Sequence, residues 1–220
     1  MKRKRIAAIG VLALCCALVL LAGCAGSRTY LLDLSYDGSG TPRLAPADRP
    51  LTLAVYQFQD ARPDKIYLGR RVYRDGQVDY YKPEDGTVEQ VVTRNIMRVM
   101  EKAGFKVVSV ARPLNVDKED LQGLLGDVAL GGKIETLWVE SKSGYTTTDT
   151  DARLKLQISW GFKKDQSWMS KMMEGSAQET DRPLFKPKYA EAKINDVFRD
   201  ALDKMLRDDQ TLREKIRGLK

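Results

Sequence analysis

The amino-acid sequence predicts an α+β domain, a mixed and largely antiparallel β-sheet with helices packed on one face. Three observations carry that expectation. Ala152, Leu154, Leu156, Ile158, Trp160 and Phe162 alternate with Arg153, Lys155, Gln157 and Ser159, the pattern of a strand with one buried and one wet face. Thr87 to Ala103 and Lys188 to Leu206 instead place their apolar residues at helical spacing. Between two further strand-like runs lies Asp75-Gly76, a dipeptide that suits a tight hairpin turn.

Residues 24–49 mix Gly, Ser, Pro and Asp and read as a flexible tether, with Asp37 to Pro42 as its spacer. Tyr30-Leu31-Leu32-Asp33-Leu34 interrupts it with a short apolar run suited to an edge strand or a partner contact. A single domain is expected over 50–207. It opens with a strand, Leu51 to Phe58, whose Leu51, Leu53, Val55 and Phe58 face a core. Asp60 to Asp64 is a loop in which Pro63 biases Arg62 to extended geometry. Tyr67 to Arg74 and Gln77 to Tyr81 form the hairpin. A two-residue turn at Asp75-Gly76 would pair Tyr73 with Val78 and Arg71 with Tyr80. Thr87 and Gln90 make a capping box, Val88, Val92, Ile96, Val99 and Ala103 form a core stripe, and Gly104 stops the helix. Phe105 to Val110 returns as a strand. Asp117 to Leu125 reads as a short helix capped by Asp117. Val128 to Glu140 is a strand whose apolar parity changes between Ile134 and Leu137, with Gly131-Gly132 as the expected bulge. After Asp151 to Phe162, a turn at Lys164-Asp165 leads to a strand from Trp168 to Ala177, a loop over 181–187 and the closing helix. Residues 208–220 read as a polar helical tail.

Lys2, Arg3, Lys4 and Arg5 precede an apolar run from Ile6 to Ala22, and the run closes on Leu21-Ala22-Gly23-Cys24. A basic segment followed by a short apolar one is the pattern of a signal peptide, here residues 1–23. Its end resembles the lipobox of a bacterial lipoprotein. The resemblance implies cleavage before Cys24 and lipidation there, a diacylglyceryl group on the thiol and a palmitate-like chain on the freed amine. One chain binds a membrane marginally, whereas two or more anchor stably. Ala25 follows the cysteine, where Asp would favour the inner membrane. In an organism with an outer membrane, the resemblance implies its periplasmic face as the expected address, with the inner membrane as the alternative.

Composition narrows the chemistry. Cys15, Cys16 and Cys24 are the only cysteines, two of them in the leader, so the domain has neither a disulfide nor a thiolate ligand. The sequence has no histidine, which removes Ser-His and Cys-His catalysis, His-ligated metals and the commonest general base. No serine has lysine three residues downstream, and there is no G-x-G-x-x-G. Asp117, Glu119 and Asp120, like Asp149 and Asp151, lack the ligand number and the glycine of a calcium loop. No catalytic residue, metal or cofactor is expected. Four of the 37 Lys and Arg sit in the leader, so 33 cations face 30 acids beyond it. That is ordinary solubility charge and does not point to nucleic acid. Arg70, Arg71, Arg74, Tyr73 and Tyr80 concentrate on the hairpin two residue types that interfaces favour, and form the candidate partner-binding site. The alternative there is a solvated edge ribbon.

An Asp-x-Arg-x-Asp loop (Asp60, Arg62, Asp64), a Leu68-Gly69 step and a helix ending in Lys102-Ala103-Gly104-Phe105 follow the lipobox. With the long strands and the closing helix, they make the chain resemble the YajG-like family of outer-membrane lipoproteins. The resemblance implies a lipid-anchored envelope protein and supplies no catalytic residues. The expected role is a non-enzymatic binding or accessory module for another envelope component. The competing class is a carrier for an apolar or amphiphilic ligand.

Overall fold

A computed structural model describes residues 26–36 and 40–219. The leader, Cys24 and Ala25 lie outside the described residues, as does part of the expected spacer. The strands are β1 (Thr29–Leu32), β2 (Thr52–Gln57), β3 (Gln59–Asp60), β4 (Gly69–Val72), β5 (Val78–Pro83), β6 (Lys106–Pro113), β7 (Val128–Ser143), β8 (Thr147–Phe162) and β9 (Ser167–Pro183). The helices are α1 (Val88–Lys102), α2 (Pro187–Asp208) and α3 (Gln210–Arg217).

β7 is the spine of one mixed sheet. Along one side it pairs with β8 over its whole length, and β8 pairs with β9, all antiparallel. Its other side is shared in parallel by β2 at one end, β3 in the middle and β4 at the other end. β6 extends the sheet beyond β2, whereas β5 and then β1 extend it beyond β4. With 16 residues at ~3.3 Å each, β7 is about 50 Å long.

The helices cover one face. α1 starts on a complete capping box, with the Thr87 backbone N–H donating to Gln90 Oε1 at 3.0 Å. It ends in a Schellman pair: Gly104 N–H donates to Glu101 O and Phe105 N–H to Met100 O, with Gly104 at φ +95°. Val88, Val91, Val92, Ile96, Val99 and Met100 enter the core. Two polar residues on that face do specific work. Thr93 Oγ1 accepts the Phe58 N–H, and Asn95 Nδ2 donates to Leu34 O while its Oδ1 accepts Tyr36 N–H. α2 buries Ala190, Ile194, Val197, Ala201, Leu202 and Leu206 against the same face. On the opposite face a smaller apolar cluster joins Ala54, Tyr56 and Ala129 to Leu121 and Leu124 of the loop after β6. Both sides of β2 are therefore buried.

The structure departs from the sequence expectation at six places. Residues expected as tether belong to the domain: β1 pairs with β5, and Leu32, Leu34, Tyr36 and Ala45 are buried. The hairpin register is shifted by one, pairing Val72 with Val78, Arg71 with Asp79 and Arg70 with Tyr80. Its loop is Arg74-Asp75-Gly76, closed by Gly76 N–H to Tyr73 O and Tyr73 N–H to Gln77 O, and Gly76 takes φ +86°. That is a three-residue loop with a left-handed glycine rather than a two-residue turn. Asp117 to Leu125 is not helical. Asn115 Oδ1 accepts Asp117 N–H and Asp120 Oδ1 accepts Gln122 N–H, so short side chains take the backbone donors that a helix would use. The bulge in β7 falls between Ile134 and Thr136, not at the glycines. Gly131 and Gly132 serve close approach instead: a Cβ on Gly132 would stand 2.0 Å from Gln157 O. β9 runs on to Pro183, where a loop was expected. Finally, the tail is an amphipathic helix, and Leu212, Ile216 and Leu219 join the core.

Candidate interaction surface

The loop between β3 and β4 sets the position of the hairpin. Asp60 and Arg62 are buried and form a double contact, Nε to Oδ1 and Nη2 to Oδ2, each at 2.9 Å. Arg62 Nη1 also donates to Tyr67 O and Leu137 O, which ties the loop to β7 just past its bulge. Asp64 Oδ1 accepts the N–H groups of Ile66 and Tyr67. The Asp-x-Arg-x-Asp motif is therefore a backbone clamp with its charges satisfied. Gly69 follows because β4 meets β7 there without room for a side chain; a Cβ would lie 1.8 Å from Val139 O.

Strand alternation then splits the five predicted site residues. Arg71 and Tyr73 point to the helix-covered face. Arg71 Nε donates to Ser143 Oγ at 2.8 Å, and its guanidinium lies 4.4 Å from the ring centroids of both Tyr73 and Phe185. Tyr73 Oη donates to Asp79 Oδ2 at 2.7 Å, and the Arg28 N–H donates to Asp79 Oδ1. Burial and the bond to this carboxylate push the Tyr73 phenol up to about 12. The buried Tyr81 phenol on the same face is also raised, chiefly by burial. Arg70 and Tyr80 point to the opposite face. Arg70 Nε pairs with Glu140 at 2.9 Å, and Tyr80 stacks on Tyr67 with centroids 4.3 Å apart. Partial burial tends to raise Glu140, but Arg70 and Lys142 outweigh it and hold the carboxyl below its ordinary range. Arg74 belongs to neither face. It sits in the hairpin loop with its guanidinium 3.4 Å from the centre of the Tyr145 ring.

The tip of the hairpin is one of three loops at the same end of the sheet. Val72 pairs with Lys142, so the Arg74–Gly76 loop lies beside the Gly144–Thr146 loop. A cavity of about 510 Å³ separates them, lined by Tyr73, Arg74, Asp75, Ser143, Gly144 and Tyr145. Thr147 pairs with Pro183, which brings the Leu184–Lys186 loop to this end as well. β1 is parallel to β5, with Thr29 opposite Tyr80, and the Ser27 hydroxyl bonds Val78 O. Followed backwards, the chain from Thr29 to Gly26 therefore runs toward the same tip. Sequence reasoning missed Tyr145 and Leu184. Gly144 between two alternating runs was the available signal for the first turn. Leu184 lies within the loop expected over 181–187, marked by Pro183 and Pro187, but nothing local places that loop at this end of the sheet.

A second polar cluster lies on the other face. Glu119 accepts Tyr56 Oη at 2.6 Å and both Nη atoms of Arg112 at 2.6 and 2.7 Å. It pins the 114–125 loop over the small apolar cluster. Among the described residues no group of His, Cys, Asp or Glu is arranged to hold a metal ion, and no helix is long and apolar enough to cross a membrane.

No family model matches the sequence. No curated protein matches it either. Solved structures do resemble it in three dimensions. Protein XCC0632 from Xanthomonas campestris, described under the DUF330 family, has a TM-score of 0.50 at 12% identity, over 87% of this chain and 99% of that one. A candidate neuraminyllactose-binding hemagglutinin homolog from Helicobacter pylori has a TM-score of 0.46 at 8% identity, covering 86% and 98%. Lipoprotein GNA1162 from Neisseria meningitidis has a TM-score of 0.38 at 9% identity, covering 70% and 99%. At such identities the first likeness is one of fold, and the YajG-like resemblance rests on the sequence motifs alone. The chain is an α+β protein with a fold similar to that of XCC0632.

Proposed function

We propose that this chain is a lipid-anchored envelope lipoprotein, a non-enzymatic binding or accessory module for another envelope component, held on the periplasmic face of the outer membrane. The observation that carries the reading is the position of β1. It begins five residues after Cys24 and is built into the sheet. Five residues span at most ~17 Å, so a lipid on Cys24 holds the domain close to the bilayer. The long sheet then projects from that attachment. Its last strand, β9, has 17 residues and pairs only with β8 among the described strands, which leaves one edge for a partner. On the hairpin, Arg74 at the tip and Arg70 and Tyr80 on the outer face remain within a partner's reach, whereas Arg71 and Tyr73 are turned inward. The carrier reading draws no support from the packing between helices and sheet, where Phe58, Leu130, Trp160 and Phe162 are fully buried.

The test has two arms. Mass spectrometry of the mature protein should find an N-terminal Cys24 carrying acyl chains, and Cys24→Ala should leave an unlipidated precursor indifferent to globomycin. Crosslinking in intact cells should then recover one envelope component reproducibly. A mature protein without acyl mass would overturn the anchor, and recovery of a tightly bound lipid-like ligand without a protein partner would favour the carrier.

A further inference from the structure

The lipidation of Cys24, on which this inference rests, also fixes which end of the domain meets the membrane. β1 leads back toward the hairpin tip, and at the base of that tip Ser27 bonds Val78 O and the Arg28 N–H bonds Asp79. Cys24 is two residues beyond Gly26, a reach of ~7 Å. The bilayer surface must therefore lie at the tip end of the sheet.

That end has the composition a bilayer surface selects. Among the described large hydrophobic residues, Leu184 and Tyr145 are the two most exposed, at 86% and 80%. Both sit on tip loops. Leu184 is held at φ +51°, a left-handed conformation that is uncommon outside glycine, so the loop's own backbone preference does not explain its outward position. Exposed cations gather around them: Arg28, Arg74, Lys186 and Lys188, against the exposed acids Asp75 and Asp181. Nearby, Lys142 pairs with Glu140 at 3.2 Å, and Asp149, which accepts the Asp181 N–H, adds a third exposed acid, so the four cations still outnumber the acids. An apolar pair, one of them a tyrosine, ringed by a surplus of cations is the arrangement of an interfacial contact. Tyrosine settles at headgroup depth, and Lys and Arg meet lipid phosphates.

We propose that the three tip loops form a membrane-resting face, with Tyr145 and Leu184 entering the interfacial layer and Arg74 and Lys186 meeting the phosphates of anionic lipid headgroups. A lipid at Cys24 alone would leave the domain free to swivel. This second contact would fix it upright, with the opposite end of the sheet about 50 Å from the surface.

The absence of cysteine beyond Cys24 makes the test direct. Single cysteines replace Tyr145, Leu184 or, as the far-end control, Leu125, which is 67% exposed near Thr52 and Lys163. Each full-length, lipidated protein is labelled with an environment-sensitive fluorophore and reconstituted into vesicles of phosphatidylethanolamine and phosphatidylglycerol. The acyl mass of each is measured alongside. The labels at 145 and 184 should be blue-shifted and quenched by brominated lipid, and the label at 125 should not. Arg74→Glu with Lys186→Glu should lower tip occupancy by ~5-fold or more per lost cation. Tip labels as wet as the control in a protein of intact acyl mass would overturn the resting face and leave the anchor standing. Tip labels shielded but not quenched by lipid would also overturn it, in favour of a protein covering the tip. Missing acyl mass would remove the anchor and this inference together.

Discussion

Asp60 at the end of β3 and Arg62 in the loop that follows form a bidentate ion pair sealed from solvent, with contacts of 2.9 Å and side chains only 5% and 3% exposed. The two Nη1 donors go to the carbonyls of Tyr67 and Leu137. A buried pair of this kind gains little over an apolar substitute, but losing one partner strands the other's charge.

Arg62→Ala should therefore lower stability by ~3–5 kcal/mol, because it leaves the Asp60 carboxylate buried and two carbonyls without donors. The paired change Asp60→Ala with Arg62→Ala should cost less than the two single changes added together. Urea denaturation of the four proteins measures the coupling. Additive losses would mean that the pair does not act as a unit.

A chain starting at Pro50 should fold poorly. It lacks β1 and the side chains of Leu32, Leu34 and Tyr36, which the structure buries, and leaves Asn95 without its Leu34 and Tyr36 partners. Each large apolar side chain contributes ~1.5–3 kcal/mol, so the loss approaches the whole stability of a typical domain. Thermal melts of chains starting at Gly26 and at Pro50 decide the matter. Equal melting would show that this segment is a tether after all.

Gly132→Ala should cost ~1–3 kcal/mol despite adding one methyl group. Its Cβ would fall 2.0 Å from Gln157 O and 2.8 Å from the Phe58 ring, so the β7–β8 ladder must part to admit it. Hydrogen exchange of the amides facing Gly132 should accelerate. Gly76→Ala, where nothing lies within 4 Å, should cost only the strain of its φ of +86°.

The Glu119 cluster gives a pH signature. The Arg112 hydrogen bonds, assisted by Tyr56, hold the Glu119 carboxyl below its ordinary range against the opposing effect of burial. A depressed carboxyl stabilises the fold above its unfolded pKa of ~4.3, and that contribution is lost as pH falls through the lower folded value. The stability gap between wild type and Glu119→Gln should thus be full at neutral pH and close in acid. Tyr56, pushed up to about 12 by burial and by Glu119, should ionise later than an exposed tyrosine in an alkaline absorbance titration.

On the hairpin, Arg71→Ala should destabilise more than Arg70→Ala. Arg71 lies between Tyr73 and Phe185 and reaches Ser143, joining β4 to the loop before α2. Arg70 makes one ion pair at a half-exposed position, worth under ~1 kcal/mol. Chemical denaturation of both variants checks the order, and the same samples show whether partner recovery follows Arg70 and Arg74 rather than Arg71.

Local chemistry was legible in the sequence wherever one period dominated. The capping box at Thr87, the stop at Gly104, the alternation from Ala152 to Phe162 and the stripe of α2 all stand as expected, because each depends on residues within a few positions of one another. The resemblance of Leu21-Ala22-Gly23-Cys24 to a lipobox is equally local, but Cys24 lies outside the described residues and its lipidation is a proposal. What tertiary structure decided was which surfaces those elements share. Leu32 and Leu34 look like an interruption in a linker until Glu84, in the β1–β5 pairing, donates to Leu32 O, and Asn95, some 60 residues later, bonds Leu34 O and the Tyr36 N–H. Asp-Gly permits two hairpin loops, and the pairing of β4 with β7 selected the one that sends Arg71 inward and Arg70 outward, since a shift of one residue exchanges the faces of a strand. The tip that gathers Arg74, Tyr145 and Leu184 comes from three loops far apart in the chain. No local signal assembles it; the registers of β4, β7, β8 and β9 do.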